Sequence, residues 1–198
     1  MRTSDRAARG VWIEPSGEGK ALVVDGAVQS VSLASPESLF GYWPLMLPQV
    51  RPKRALILGL GGGTLVQLLF RRFGPFPLVA VDDDERVIAL ATAEMGLDPT
   101  SLAIVRADAF DWVANARQHF DYAAIDLYRG GDVPVRVFSV SFLRDLRRLL
   151  APGATLVLNM AADASAAARL ARLSRVFRID GSRKTGRNLV IYAHTRPR

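Results

Sequence analysis

The sequence has no cysteine and only two histidines among its 198 residues. Without cysteine there are no disulfides, no thiolate metal ligands and no thiol catalysis, which fits a cytoplasmic protein. His119 and His194 lie far apart in the chain, so we expect no metal site. Arginine, aspartate, glycine or proline interrupts every apolar run before it reaches the length of a membrane span. The opening "MRTSDRAARG" is not followed by the apolar segment of a signal peptide, so no membrane association is expected.

Lysine is also scarce, although the formal net charge is +7. Lys20, Lys53 and Lys184 are the only lysines, so arginine carries most of the positive charge. A basic chain can bind nucleic acid or anionic substrates, but no dense basic run with interleaved aromatics is present. We therefore do not favour a nucleic-acid partner, and compositional preference for arginine is the simpler interpretation. A basic cluster near the carboxyl end is interpreted as a solvated hairpin: Arg178, Arg183, Lys184 and Arg187.

From Lys53 onward, strand-like and helix-like segments alternate. The run "RALILGL" is typical of a buried strand, and residues 63–73 follow as a helix. This alternation predicts the α/β class, with a mostly parallel sheet covered by helices on both faces. Upstream, "GVWIEP" and "KALVVDGAVQSVS" predict a short N-terminal β-hairpin, followed by a linker broken by prolines. We expect residues 1–50 to form the hairpin and linker and residues 51–198 the Rossmann-like domain.

The stretch "LGLGGGT" places several glycines directly after the first strand of this sheet. Gly59, Gly61 and Gly63 have G-x-G-x-G spacing. Glycine allows positive φ angles and leaves room for a ligand near the backbone. Ligands of open α/β sheets bind outside the carboxyl ends of the strands. A tight packing turn is the alternative explanation.

Acidic residues end the next two predicted strands. A carboxylate at Asp82 can accept the ribose hydroxyls of a nucleotide. At the next strand end, the side chain of Asp108 or the backbone of Ala109 can bind the amine of an adenine. Helix N-capping is the alternative for each aspartate. The glycine loop and the two acids together favour an adenosine pocket.

The type of adenosine cofactor follows from what the loop lacks. The P-loop pattern is absent, and the dinucleotide pattern fits poorly because Thr64 or Leu65 falls on its last glycine. S-adenosylmethionine (SAM) or a relative of it fits best.

These motifs resemble those of the spermidine synthase family, the polyamine aminopropyltransferases. "LVVDGAVQ" is similar to L-x-L-D-G-x-x-Q, "LILGLGGGT" to I-G-G-G-D-G-G, and "VDDDERVIAL" to E-I-D-x-x-V-I. "RADAF" is similar to the family's G-D-G/A motif, and "FDYAAIDLYRGGDVP" to Y-D-V-I-I-x-D-S-S-D-P. The resemblance covers residues 11 to 160 and implies a SAM-methyltransferase Rossmann-like fold behind an N-terminal β-domain. It also implies a homodimer, and it places Asp126 on the catalytic acid.

The motif matches and the strand-end argument assign the remaining site residues. Cofactor binding is predicted for Gln29, Gly59, Gly61, Gly62, Gly63, Asp82, Asp83, Asp108 and Ala109. Substrate binding is predicted for Tyr128, Arg129 and Asp132. The aromatic residues Tyr42 and Trp43 are interpreted as packing residues.

Two departures from the family pattern point away from a polyamine substrate. The aspartate of the family's glycine loop falls on Gly62, and without it the carboxylate of intact SAM meets no repulsion. The second aspartate of D-S-S-D falls on Arg129, a cation that repels an amine. Asp132 is the candidate replacement for that acid. Glu37 is the only acid in the region where the family has Tyr-(His/Gln)-Glu.

The sequence therefore predicts a spermidine synthase-like, SAM-dependent transferase that acts on a small molecule. A methyltransferase with a non-cationic substrate is the main hypothesis. One alternative is an aminopropyltransferase that uses decarboxylated SAM and a diamine, with Asp126, Asp132 and Glu37 serving the amine. A non-catalytic module that binds an adenosine cofactor is the other.

Overall fold

The computed structural model of the chain describes residues 10–129 and 132–195. The start of the chain and the glycine pair of the predicted loop after Asp126 lie outside these ranges. The strands are β1 (Val11–Ser16), β2 (Gly19–Val24), β3 (Ala27–Val31), β4 (Ala55–Leu58), β5 (Leu78–Asp82), β6 (Ala103–Arg106), β7 (Phe120–Ile125), β8 (Leu150–Ala161), β9 (Arg178–Thr185) and β10 (Asn188–His194). The helices are α1 (Glu37–Phe40), α2 (Thr64–Phe73), α3 (Glu85–Ala93), α4 (Ala109–Asn115), α5 (Val140–Leu149) and α6 (Ala166–Leu173). Short 3₁₀ helices cover Trp43–Met46 and Val135–Phe138.

The larger sheet has the strand order β6-β5-β4-β7-β8-β10-β9. The pairs β5–β6, β4–β5, β4–β7 and β7–β8 are parallel, and β10 is antiparallel to both β8 and β9. The predicted α/β class with a terminal antiparallel hairpin is therefore confirmed. Pro152 and Gly153 follow closely after the end of α5 at Leu149 and lie inside β8, where the register against β7 shifts.

Helices cover both faces of this sheet because its central strands are apolar on both sides. In β4, Leu56 and Leu58 pack in a core shared with α4, α5 and α6, whereas Ala55 and Ile57 pack in a core shared with α2. Successive side chains of a strand point to opposite faces, which explains this alternation. Each buried leucine or isoleucine contributes about 1.5–3 kcal/mol. The central strands are thus held rigidly from both sides.

The N-terminal part forms a three-stranded antiparallel sheet, β1-β2-β3, rather than a single hairpin. The predicted strand run through residues 20–32 is divided by a turn at Asp25 and Gly26. Both residues have positive φ angles, 48° and 81°. An Asp-Gly pair with two positive φ angles is typical of the tight turn that joins antiparallel strands.

Hydrogen bonds fasten this small sheet to the glycine loop. The amide of Gly62 donates to Ser30 Oγ at 2.7 Å. Thr64 Oγ1 donates to the Val31 carbonyl at 2.6 Å and accepts from the Val31 amide at 3.1 Å. All three bonds are buried, so the end of β3 has a fixed position beside the loop. Within the described residues, no helix is both long and apolar enough to cross a membrane.

Candidate functional site

A cleft of about 280 Å³ opens at the carboxyl ends of β4, β5, β6 and β7. Most of the residues predicted for the site line it: Gln29, Gly59, Gly61, Asp82, Asp83, Asp108, Ala109, Asp126, Tyr128 and Arg129. Gly62, Gly63 and Asp132 are not among its lining residues. The parallel strands therefore bring together side chains that are up to 100 residues apart (29 to 129) in the sequence.

The glycine loop is needed by the protein's own packing. Gly59, Gly61 and Gly63 all have positive φ angles, 89°, 51° and 80°. A Cβ at Gly59 would overlap the carbonyl oxygen of Asp126, and one at Gly61 would lie 2.6 Å from Ser30 Oγ. The packing explanation thus accounts for these glycines, while the backbone of Gly59 and Gly61 still faces the cleft.

Asp82 ties this loop to the end of β5. Its Oδ2 accepts from the amides of Leu60 at 2.9 Å and Gly61 at 3.2 Å, and its Oδ1 accepts from the Asp84 amide at 3.1 Å. Burial raises the pKa of Asp82, and the three backbone donors lower it. A carboxylate accepts about four hydrogen bonds, so Oδ1 keeps capacity for a ligand hydroxyl.

Asp108 and Asp84 are helix N-caps, as the alternative interpretation of these aspartates predicts. Asp108 Oδ1 accepts from the amides of Phe110 at 2.8 Å and Asp111 at 3.1 Å at the start of α4. Asp84 accepts from the Arg86 amide at 2.9 Å at the start of α3. N-capping does not remove Asp108 from the cleft, because its other oxygen faces Arg129.

Arg129 extends across the cofactor end of the cleft. Its Nη2 lies 2.6 Å from Asp83 Oδ2 and 3.5 Å from Asp108 Oδ2. The positive charge is therefore opposed by two carboxylates on the side where an adenosine would bind. Both ion pairs are largely exposed, so they contribute little to stability, and a ligand displaces the guanidinium at low cost.

Asp126 is a titratable group of the cleft whose pKa is strongly raised. It follows β7 and is partly buried, with Oδ2 accepting from the Tyr42 hydroxyl at 2.8 Å and Oδ1 from Asn159 Nδ2 at 2.9 Å. Burial raises the pKa of Asp126 to about 6, against the lowering effect of these two donors. A carboxylate with this pKa is ionised at neutral pH and is matched to proton transfer there.

Sequence reasoning missed both donors. Tyr42, interpreted as a packing residue, does stack on Trp43 at 4.5 Å between ring centroids, but its hydroxyl is directed at Asp126. Asn159 lies in the apolar run of β8. A polar residue in such a run was the one sequence signal that could have marked it as a site residue. Asn159 Oδ1 is buried without a hydrogen-bond partner among the described residues. A buried carbonyl oxygen of this kind costs about 1–3 kcal/mol when it has no hydrogen-bond donor.

The cleft is acidic although the chain as a whole is basic. Within residues 10–129 and 132–195, six aspartates and a single arginine line it: Asp25, Asp82, Asp83, Asp84, Asp108, Asp126 and Arg129. The excess positive charge of the protein therefore lies elsewhere on its surface. Net charge alone was a poor guide to the charge of the cleft. Glu37 does not line the cleft; it accepts from Ser16 Oγ at 3.4 Å.

Comparisons with known proteins indicate the family of this chain. No protein-family model matches the chain. The chain is 31% identical over 149 residues to polyamine aminopropyltransferase 2 of Caldanaerobacter subterraneus subsp. tengcongensis, covering 71% of this chain and 50% of that protein. The chain is spermidine synthase-like. It spans about half the length of the curated relatives it matches.

Solved structures show that this spermidine synthase-like chain has a methyltransferase-type Rossmann-like fold. A probable spermidine synthase from Corynebacterium glutamicum superposes with a TM-score of 0.76 at 17% identity, covering 94% of this chain and 80% of that one. Human methyltransferase-like protein 13 in complex with SAH gives a TM-score of 0.67 at 24% identity, covering 81% and 78%. The same fold thus appears in proteins named for both types of transfer.

Replacing Tyr42 with phenylalanine tests the environment of Asp126 in this spermidine synthase-like chain. The Tyr42 hydrogen bond lowers the pKa of Asp126, so its loss raises that pKa above about 6. A hydrogen bond to a charged group has a value of about 1.5–3 kcal/mol, so the acidic limb of the kcat/KM profile moves up by roughly one pH unit. Tyr192→Phe is the matched control, because the Tyr192 hydroxyl donates to the Leu45 carbonyl instead. If the pH profile of Tyr42→Phe does not move, Asp126 is not the group whose ionisation sets the acidic limb.

Proposed function

We propose that this chain is a SAM-dependent transferase that moves an aminopropyl group from decarboxylated SAM to an amine. The observation that carries the proposal is the set of six aspartates, Asp126 among them, that lines one cleft of an otherwise basic protein. Decarboxylated SAM and its acceptor are both cations, and acidic clefts concentrate cations. The similarity to polyamine aminopropyltransferases supports the same reaction class.

The lining residues fit the adenosine part of such a donor. The spare acceptor site on Asp82 Oδ1 and the carboxylate of Asp83 suit ribose hydroxyls. The Ala109 backbone and Asp108 suit the adenine edge, and apolar Leu65, Val87 and Phe110 suit its ring faces. When bound, the donor supplies its own leaving group, since the sulfonium carries the charge that makes a thioether depart.

Asp126 then has the task of accepting a proton from the acceptor amine. Tyr42 and Asn159 each hold one of its oxygens, so the carboxylate has one fixed orientation beside the glycine loop. Positioned proton transfer of this kind contributes about 10²–10⁴-fold to a rate. The amine attacks in line with the bond to sulfur, so its position matters as much as its deprotonation.

The structure removes the support for the main hypothesis drawn from the sequence. That hypothesis of a methyltransferase needed Gly62 at the donor tail and Arg129 at the substrate. A Cβ at Gly62 would instead meet Ser30 Cβ at 2.8 Å and Met95 Cε at 2.9 Å, and Gly62 is not among the residues that line the cleft. Arg129 is opposed by Asp83 and Asp108, so it is not a free cation facing an amine.

Product analysis tests the proposal directly. Incubation with decarboxylated SAM and putrescine is expected to release methylthioadenosine in step with a longer polyamine. Incubation with intact SAM and the same amine is expected to give no S-adenosylhomocysteine. Liquid chromatography with mass detection separates the two nucleoside products. Formation of S-adenosylhomocysteine from SAM, with no methylthioadenosine from the decarboxylated donor, favours the methyltransferase instead. Binding of both donors without either product favours the non-catalytic module.

A further inference from the structure

A second cavity, of about 830 Å³, lies against the cleft. Gln29, Tyr42 and Tyr128 line both spaces, so the two spaces meet along these residues. The hydroxyl of Tyr42 donates to Asp126, which lines the cleft. A molecule whose reacting amine reaches Asp126 can therefore extend its other end into the second cavity, which we call the acceptor cavity.

The acceptor cavity has acids and bases on its wall: Asp132, Asp163, Lys184 and Arg187. Asp163 is already engaged, because its oxygens accept from Arg169 Nη1 at 3.0 Å and from the Ser165 amide at 2.8 Å. Within the described residues, the Asp132 carboxylate and the Lys184 and Arg187 side chains have no hydrogen-bond or ion-pair partner in the protein. The free charges of the cavity are thus one anion and two cations.

The free charges lie on two different segments of the chain. Asp132 lies on the loop that follows β7 and Asp126, where its backbone pairs with that of Arg129. Lys184 and Arg187 lie on the β9–β10 hairpin, which Tyr128 contacts through its hydroxyl and Asn188 Oδ1 at 3.3 Å.

We propose that the acceptor is a diamino acid rather than a plain diamine. This inference rests on the proposed aminopropyl transfer and names its substrate class. The reacting amine binds at Asp126, the distal ammonium pairs with Asp132, and the carboxylate pairs with Lys184 and Arg187. A plain diamine leaves both of these cations without a partner, whereas a carboxylate matches the planar fork of arginine.

The transfer step is balanced in this arrangement. The reacting ammonium gives one proton to Asp126, and its lone pair forms the new bond to the terminal carbon of the aminopropyl group. The bond from that carbon to sulfur breaks, and its electron pair stays on sulfur in methylthioadenosine.

Putrescine and ornithine form a matched pair of probes, because ornithine is putrescine with one added carboxylate. With decarboxylated SAM as donor, kcat/KM is expected to be at least about tenfold higher for ornithine, since a paired charge is favoured over an unpaired one. Calorimetric titration into protein saturated with methylthioadenosine is expected to show the same order of affinity. This second readout does not depend on turnover.

Two charge-reversal variants separate the effect of a charge in the acceptor cavity from that of a charge elsewhere on the surface. Lys184→Glu is expected to lower kcat/KM for ornithine about fivefold or more and to leave putrescine unchanged or improved. Arg183→Glu is the control, because its side chain is adjacent on the same strand, points to the other face and does not line the cavity. Arg183→Glu makes the same change in net charge and is expected to leave the ratio of kcat/KM for ornithine to kcat/KM for putrescine unchanged.

The outcomes distinguish a failure of the diamino acid proposal from a failure of the proposed aminopropyl transfer. Preference for putrescine in both turnover and titration overturns the diamino acid and leaves aminopropyl transfer intact. Equal effects of the two charge reversals also overturn it. If neither amine yields methylthioadenosine, the proposed function fails, and the titration alone then decides whether the cavity prefers a carboxylate.

Discussion

Replacing Asp126 with asparagine is expected to reduce turnover by at least about 100-fold, because the amide cannot accept the proton of the amine. Asparagine has nearly the same shape, so Tyr42 can still donate to one side of it. Initial rates of methylthioadenosine release measure the effect. Asp121→Asn is the control on the same strand, because Asp121 accepts from the amides of Lys53 and Arg54 at the opposite end of β7. A variant at 126 that keeps more than a tenth of the rate contradicts the proposed proton acceptor.

The same substitution is expected to stabilise the fold near neutral pH. The pKa of Asp126 is raised from 3.8 to about 6, so the folded state favours the protonated carboxyl. The stability this provides is complete below pH 3.8 and is lost as the pH rises to about 6. The loss is about 3 kcal/mol, and asparagine avoids it. Urea denaturation of wild type and variant at several pH values is expected to show a difference that grows across this range. A difference independent of pH argues against a raised pKa.

Replacing Asp82 with alanine is expected to weaken binding of methylthioadenosine by at least about 100-fold, which corresponds to about 2.7 kcal/mol. The substitution removes the acceptor of the Leu60, Gly61 and Asp84 amides, so the loop loses its fixed position. It also removes the ribose acceptor. A hydrogen bond to a charged group contributes about 1.5–3 kcal/mol. The loss of two such bonds is therefore enough to account for the expected loss of binding free energy.

Calorimetric titration with methylthioadenosine measures this effect. Asp82→Asn is expected to have a smaller effect than alanine, since its amide oxygen still accepts from one side of the loop, whereas the charge and the second acceptor oxygen are lost. Asp98→Ala is the control for removal of an aspartate, because Asp98 bonds only its neighbours around Thr100. Unchanged affinity in Asp82→Ala means that the adenosine binds elsewhere.

The fold and the cofactor side of the cleft were predictable because their signals are local. A buried strand, a glycine loop and an acid at the next strand end are each written in a few consecutive residues, and parallel topology brings strand ends together. The turn at Asp25 and Gly26 was equally local, and the pair should have divided the predicted N-terminal hairpin into three strands.

The environment of Asp126 could not be found in this way, because its partners are distant in sequence. Tyr42 lies 84 residues before it and Asn159 lies 33 residues after it. Neither residue type distinguishes a packing role from a hydrogen bond to a carboxylate. The direction of a side chain at Gly62 and the partners of Arg129 likewise depend on neighbours that only the folded chain brings near. Motif alignment assigned roles to these positions but gave no information on their surroundings.

The position of β9 at one edge of the large sheet has a consequence for self-association. An edge strand presents unpaired amides and carbonyls, which is a template for joining another copy edge to edge. β9 carries Arg178, Arg183 and Lys184, and like charges placed opposite each other on paired strands repel. A second copy laid antiparallel along this edge would bring these side chains together. The basic residues of β9 therefore oppose edge-to-edge pairing of two copies in such a register.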